Sequence, residues 1–242
     1  MPWHFLFESL AYIVAFRIYV WQRKNTGDFL ETQTRWSIIV AAVVGAAIGS
    51  KLLYWCEDPF RTVHEWSNIQ YLLAGKTIVG AILGGTIAVE FTKWRAGIRR
   101  RTGDLFAVPI AIGIAIGRIG CFLAGKQDDT YGSATSLPWG IDMGDGVRRH
   151  PVQLYEVAAM VALAILLSRI HSPRFAEGDR FRVFVISYYS WRLLVDFLKP
   201  GVRFEGLTAL QWACACAILW YANDLWRIVS GALKQEEALV AG

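Results

Sequence analysis

Histidine and cysteine are scarce, four of each in 242 residues, and charged residues make up only 19% of the chain. These shortages exclude several classes of protein. Cys56, Cys121, Cys214 and Cys216 sit in apolar surroundings, and no pair has the spacing of a zinc site or a thioredoxin-like motif. A disulfide framework is excluded, and all four are expected to be packing residues. The sequence shows no histidine–carboxylate cluster for a metal, no glycine-rich loop for a nucleotide and no serine-nucleophile motif, so neither metal nor cofactor is expected. Met1 to Glu8 lack the basic stretch of a signal peptide, and no small-residue cleavage site follows. The first apolar run is therefore expected to remain as a membrane helix.

Apolar residues, by contrast, are abundant at 55%, and the mean hydropathy is +0.35. A soluble domain of this length rarely exceeds about half apolar residues. Eleven tryptophans strengthen the membrane reading, because indole rings favour the boundary between headgroups and hydrocarbon. The net charge of +5 invites comparison with nucleic-acid binders. Here, however, the basic residues lie in short segments between apolar runs, as in cytoplasmic loops, and no nucleic-acid partner is expected.

A helix needs about 20 residues to cross the hydrocarbon. Five apolar runs qualify readily: Trp36–Cys56, Thr77–Phe91, Leu105–Leu123, Val157–Ile170 with its preceding turn, and Leu207–Leu225. Two more carry charge: Phe5–Trp21 holds Glu8 and Arg17, and Phe181–Leu198 holds Arg192 and Asp196. Basic residues concentrate after the first run (Arg23, Lys24, Arg35), between the third and fourth (Lys93, Arg95, Arg99, Arg100, Arg101), and between the fifth and sixth (Arg169, Arg174, Arg180, Arg182). The alternate connections are poorer in base. The positive-inside rule then places the N-terminus outside and the C-terminus in the cytoplasm, which requires an odd number of spans. The expected fold is an all-α integral membrane protein of about seven transmembrane helices, one polytopic domain over residues 1–242. Its long outer loop, Gly125 to His150, joins helices four and five and is rich in turn signals. Gly45 and Gly49, Gly80 and Gly84, and Gly113 and Gly117 repeat at four-residue spacing, a pattern that suits close helix packing in lipid.

A charge inside the bilayer costs at least about 2.5 kcal/mol, so it requires a partner, water or a function. Arg192 and Asp196, four apart on one helix, share a face and pair, either to fix packing or to act in chemistry. Arg118 lies near the outer end of the fourth span between Gly117 and Gly120, which leave room for a large group. Its fork suits either snorkelling to headgroups or gripping a phosphate. In Arg149-His150-Pro151-Val152-Gln153-Leu154-Tyr155-Glu156, Pro151 suits a helix start, which sets Glu156 near the outer boundary, level with Arg118. His150 suits an interfacial hydrogen bond or proton transfer near neutral pH. Glu8 and Tyr12 form a further same-face pair on the first helix. These residues favour work on a phospholipid, or on a polar substrate at the outer boundary.

The run Gly117-Arg118-Ile119-Gly120-Cys121-Phe122-Leu123-Ala124-Gly125, followed by the Arg149-to-Glu156 block, resembles the signature of bacterial prolipoprotein diacylglyceryl transferases. Trp191-Arg192-Leu193-Leu194-Val195-Asp196-Phe197-Leu198-Lys199 resembles that family's arginine and acidic pair on its sixth helix. Leu207-Thr208-Ala209-Leu210-Gln211 resembles the start of its last helix. The resemblance implies an inner-membrane enzyme that moves a diacylglyceryl group from phosphatidylglycerol to the lipobox cysteine thiol of a prolipoprotein signal peptide. A thioether forms and glycerol phosphate leaves. It also implies that Arg118 binds the lipid phosphate, with Gly120, Gly132, Arg149 and Tyr155 around the substrate. Arg192, Asp196, His150 and Glu156 are then the candidates for catalysis. Where the family commonly has a histidine followed by two glycines, this sequence reads Val79-Gly80-Ala81, and Cys121 stands where asparagine is frequent. The competing expectation is a non-enzymatic lipid-handling protein or transporter that holds an anionic substrate through Arg118 and Arg192. Transporters often carry inverted repeats or matching helix breaks, and the sequence displays neither.

Overall fold

In the computed structural model, residues 2–26, 30–170 and 176–240 are described, with backbone alone at Pro2 and residues 232–240. Arg174, counted above among the basic loop residues, lies outside the described residues. Helices dominate: α1 (Pro2–Thr26), α2 (Thr32–Glu57), α3 (Pro59–His64), α4 (Ile69–Leu73), α5 (Ile78–Arg95), α6 (Asp104–Ala124), α7 (Val152–Arg169), α8 (Asp179–Val195), α9 (Ala209–Trp220) and α10 (Ala222–Val240). Between α6 and α7 a two-stranded antiparallel hairpin pairs β1 (Ile141–Asp142) with β2 (Arg148–Arg149).

Local chemistry sets the helix boundaries. Asp58 accepts the Arg61 N–H at 3.0 Å and Pro59 opens α3; the Asn68 side chain caps α4, and Thr77 Oγ1 accepts the Gly80 N–H at 3.2 Å to start α5. Thr208 and Gln211 cap α9 reciprocally, the Gln211 N–H donating to Thr208 Oγ1 (3.1 Å) and the Thr208 N–H to Gln211 Oε1 (2.9 Å). Gln211, noted above by resemblance, thus has a structural task at that helix start. Helix α6 ends at Gly125, whose φ of +65° an L side chain rarely adopts.

Three helical stretches are both long and apolar enough to cross a membrane: Thr32–Glu57, Asp104–Asp128 and Val152–Arg169. Their surfaces agree with lipid as the surrounding solvent. Helix α2 exposes Val40, Val43, Val44, Ile48 and Leu52, and α7 exposes Val161, Ile165 and Leu166. The result is an all-helical membrane protein apart from the small hairpin.

The contacts divide the chain into two units. One comprises Met1–Gly27, Arg101–Pro200 and Tyr221–Gly242. Its core is built from Ala107, Ala111 and Ala115 of α6, Met160 and Leu167 of α7, and Phe184, Tyr188 and Tyr189 of α8. Asp104 at the start of α6 accepts the N–H groups of Gly178 (2.7 Å) and Phe181 (3.0 Å), which fixes the entry of α8. At the same end, Asp179 pairs with Arg182 (2.8 Å) and Arg227, and Arg182 reaches Asp224 at 3.0 Å, tying α8 to α10.

The other unit comprises Asp28–Arg100 and Gly201–Trp220. There α2 and α5 cross at Gly45, Gly49, Gly80 and Gly84. A Cβ on Gly49 would stand 2.8 Å from the Gly84 Cα, so the backbones meet directly. Lys51 donates to the carbonyls of Leu73, Ala74 and Gly75 and so completes the end of α4.

Several sequence expectations change. The seventh apolar run is interrupted at Tyr221, where α9 gives way to α10. Helix α8 stops at Val195, and Asp196–Leu198 continue as a 3-10 turn. Gly113 meets only Ala15 and Ala11 at ordinary distances, and Gly117 faces open space, so that pair does not support a tight crossing. Cys121 and Cys214 are buried packing residues, but Cys56 and Cys216 are exposed.

Candidate active site

Within the first unit, the chain buries four ionised side chains together. Arg118 projects from the last turns of α6, Glu156 from the second turn of α7, Arg192 from the end of α8, and Asp196 from the 3-10 turn that follows. Residue exposure is 8%, 2%, 3% and 6% respectively, low enough that each charge must be answered by another. Glu156 is the bridge: its Oε2 lies 2.8 Å from Arg118 Nε and 3.3 Å from Arg192 Nη1, and its Oε1 accepts the Tyr188 hydroxyl at 3.2 Å. Arg192 Nη2 reaches Asp196 Oδ1 at 3.3 Å. Two cations and two anions balance, but the donors are not used up. Arg192 Nε is buried without a hydrogen-bond acceptor among the described residues. A buried unanswered donor of this kind is a place for an anionic ligand.

Lys199 follows directly after this cluster. Burial, together with the Arg192 and Arg118 guanidiniums, pushes its ammonium down to about 8. Gly117, one residue before Arg118, has nothing within 4 Å of where a Cβ would stand. That position on α6 is therefore open, although no neighbour fixes the side of the helix on which the space lies relative to the guanidinium. Gly120 is different: a Cβ there would lie 2.6 Å from the Phe7 Cβ, so this glycine seats α6 on α1. Gly132 likewise lets the loop backbone pass close to His150, whose Cβ would stand 2.7 Å away.

The outer loop forms a rim with its own contacts. Asp145 binds Arg149 (2.6 Å) and Lys126 (2.7 Å), and these hydrogen bonds hold its carboxyl well below the usual carboxylate range. Arg149 also lies over the Tyr131 ring at 5.2 Å. Trp139 Nε1 donates to the Tyr155 hydroxyl at 2.7 Å, and His150 Nδ1 lies 3.4 Å from the same oxygen. Of the sequence candidates, Arg118, Glu156, Arg192 and Asp196 thus come together, whereas Arg149, His150 and Tyr155 make the contacts just described within the loop and the start of α7.

A third group borders Arg118. Its Nη1 is 4.0 Å from Cys121 Sγ, and donor atoms of Cys121, His4 and Asp128 lie within 4.8 Å of one another. Three such donors raise the question of a metal. The guanidinium against the sulfur argues otherwise, since a divalent cation there would be repelled by Arg118.

Residues 1–226 match the prolipoprotein diacylglyceryl transferase family. The chain belongs to that family. Proteins named phosphatidylglycerol–prolipoprotein diacylglyceryl transferase are among its relatives. That of Cupriavidus metallidurans is 33% identical over 178 residues, 72% of this chain and 64% of the relative. That of Clostridium tetani is 30% identical over 174 residues, 69% of each chain. That of Wolinella succinogenes is 30% identical over 218 residues, 81% of this chain and 77% of the relative. The chain spans just under two thirds of the length of the first relatives it matches.

For a member of the prolipoprotein diacylglyceryl transferase family, the arrangement adds residues that the sequence did not single out. Tyr188 and Lys199 join the ionised cluster, and His4 and Asp128 stand beside it. Tyr188 had one available signal: it lies four residues before Arg192, on the same helix face. His4 had none, because its significance depends on a turn far along the chain.

Proposed function

We propose that this protein transfers a diacylglyceryl group from phosphatidylglycerol to the lipobox cysteine thiol of prolipoproteins at the bacterial inner membrane. The observation that carries the reading is the buried Arg118–Glu156–Arg192 bridge, in which an Arg192 N–H is left without an acceptor among the described residues. We read seven spans in all: α1, α2, α5, α6, α7, α8 with its 3-10 turn through Leu198, and the broken α9–α10 segment. With the N-terminus outside and the C-terminus in the cytoplasm, the Arg118 end of α6 and the loop to α7 face the outer side.

In this reading Arg118 and Arg192 grip the lipid phosphate. As the thiolate sulfur attacks the glyceryl carbon, the carbon–oxygen bond to phosphate breaks and negative charge grows on the leaving phosphate. Preorganised guanidinium donors in a dry site are suited to that change. Glu156 and Asp196 keep both forks pointed before substrate arrives, which removes an ordering cost from the reaction. Arg149, His150 and Tyr155, with Gly120 and Gly132 holding the backbone close, shape the rim that receives the headgroup and the signal peptide.

The test is direct. Purified protein is incubated with phosphatidylglycerol and a lipobox peptide, and the peptide is weighed by mass spectrometry. A diacylglyceryl thioether on the cysteine is expected, and Arg118→Ala should abolish it while the protein still folds. No adduct beside a working relative in parallel contradicts the reading and leaves lipid binding without chemistry.

A further inference from the structure

We infer that His4, backed by the Asp128 carboxylate, is the group that takes the proton from the acceptor thiol; the inference rests on the transferase reading above. Thiols attack as thiolates, so a proton acceptor near the reacting carbon is required at neutral pH. The buried carboxylates are poorly placed for this. Glu156 already answers two guanidiniums and a phenol, and Asp196 answers Arg192. On α5, the position resembling the family's histidine is Val79, fully buried and without a titratable atom.

His4 has the missing properties. Its Nδ1 lies 2.8 Å from Asp128 Oδ1, and the Asp128 side chain is only 10% exposed against 33% for the imidazole. The contact is an ion-pair distance without hydrogen-bond alignment, so a buried acid stands behind an accessible base, where it favours the imidazolium that forms once a thiol proton is taken. Asp128 is itself fixed: the Thr130 hydroxyl donates to its Oδ2 at 2.7 Å, and Gln153 Nε2 donates to Thr130 Oγ1 at 3.4 Å. The far nitrogen, Nε2, lies 3.6 Å from Glu8 Oε2, beyond a good hydrogen bond, which leaves its lone pair for an incoming S–H. Tyr12 holds Glu8 through a 3.1 Å hydrogen bond. The groups facing His4 are therefore Glu8 and Tyr12 from α1, Cys121 with Arg118 behind it from α6, and Asp128 from the turn after α6. Through Cys121 the imidazole joins the phosphate-gripping cluster.

The step balances. The thiol proton moves to His4 Nε2, and the sulfur electron pair forms the carbon–sulfur bond at the glyceryl carbon. The carbon–oxygen bond to phosphate breaks, its electron pair leaving on glycerol phosphate beside Arg118 and Arg192. Asp128 and Glu8 flank the imidazolium until its Nε2 proton is lost to water.

The experiment is a pH profile of transfer by the full chain in phosphatidylglycerol vesicles. His4→Gln should lower kcat/KM by about 10²–10⁴-fold near neutral pH, the range a positioned base supplies. The variant's rate should then climb as the peptide thiol ionises by itself, toward pH ~8.5. Asp128→Asn should show a smaller loss in kcat with KM for phosphatidylglycerol unchanged. A wild-type rate in His4→Gln, or a loss equal at every pH, overturns the inference while the transferase reading stands. A wild-type protein that makes no thioether overturns both. If His4→Gln does not fold, Asp128→Asn decides: unchanged kcat refutes the dyad, reduced kcat supports it.

Discussion

Replacing Glu156 by glutamine keeps the shape of the side chain and removes one charge from the centre of the site. In the wild-type protein two buried cations face two buried anions, and Glu156 touches both guanidiniums. Glu156→Gln leaves Arg118 and Arg192, with Lys199 beside them, against Asp196 alone. Breaking a buried pair by removing one partner costs about 3–5 kcal/mol. For a chain of this size each kcal/mol lowers the midpoint of thermal unfolding by about 2–4 °C, so Tm should fall by about 6–20 °C. Anionic lipid should then return part of the loss. A phosphate placed between Arg118 and Arg192 supplies the missing negative charge, so phosphatidylglycerol should raise the variant's Tm by more than it raises that of the wild type. Tryptophan fluorescence follows both melts in detergent, with phosphatidylcholine, whose headgroup is zwitterionic, as the control lipid. Two results would refute the reasoning: a variant melting at the wild-type temperature, or equal increments from phosphatidylglycerol in both proteins. The first would mean that the bridge carries no stability, the second that the freed guanidiniums do not meet the lipid phosphate.

The remaining expectations concern charge and packing. Because Lys199 is held down to about 8, its ammonium is lost as pH rises through that value, and affinity for phosphatidylglycerol should weaken there. The loss should be on the order of tenfold, the worth of one charge-assisted hydrogen bond; Lys199→Gln should bind weakly at every pH, and a flat wild-type titration would contradict the assignment. Gly49→Leu forces a side chain into the backbone of α5, at a cost of about 1–3 kcal/mol, visible as a lower Tm. Gly117→Ala meets nothing within 4 Å and should melt with the wild type; equal losses in the two variants would show that four-residue spacing, not contact, decides.

Much of the fold was legible because hydropathy is a local property. Six of the seven apolar runs fall on helical segments, with end shifts of a few residues at most. The seventh falls on two helices, α9 and α10, interrupted at Tyr221, where no proline or glycine marks the break. Glycine spacing identified the α2–α5 crossing but also suggested one at Gly113 and Gly117, because spacing cannot tell whether another backbone faces the stripe.

The site divided along the same line. Arg192 and Asp196 were readable as a pair because four residues on a helix bring side chains together. The more important link, Glu156 to both arginines, joins three helices and exists only once α6, α7 and α8 have packed. His4 escaped notice for a stronger form of that reason. Its partner Asp128 reaches it only through the turn that Gly125 permits after α6. Reading the sequence for a base led to His150, Glu156 and Asp196; the His150 ring lies beside the Tyr155 hydroxyl, and the two carboxylates sit against the arginines.

The central claim is that Arg118 and Arg192, set by Glu156, hold the phosphate of the lipid donor. A crystal structure grown with a phosphorothioate analogue of phosphatidylglycerol tests it most directly, because anomalous scattering from the sulfur marks the headgroup. The account predicts that signal beside Arg118 and Arg192, near Gly117 and Lys199. A signal at the Arg149 rim alone, with the Arg118–Glu156–Arg192 bridge unoccupied and unchanged, would contradict it.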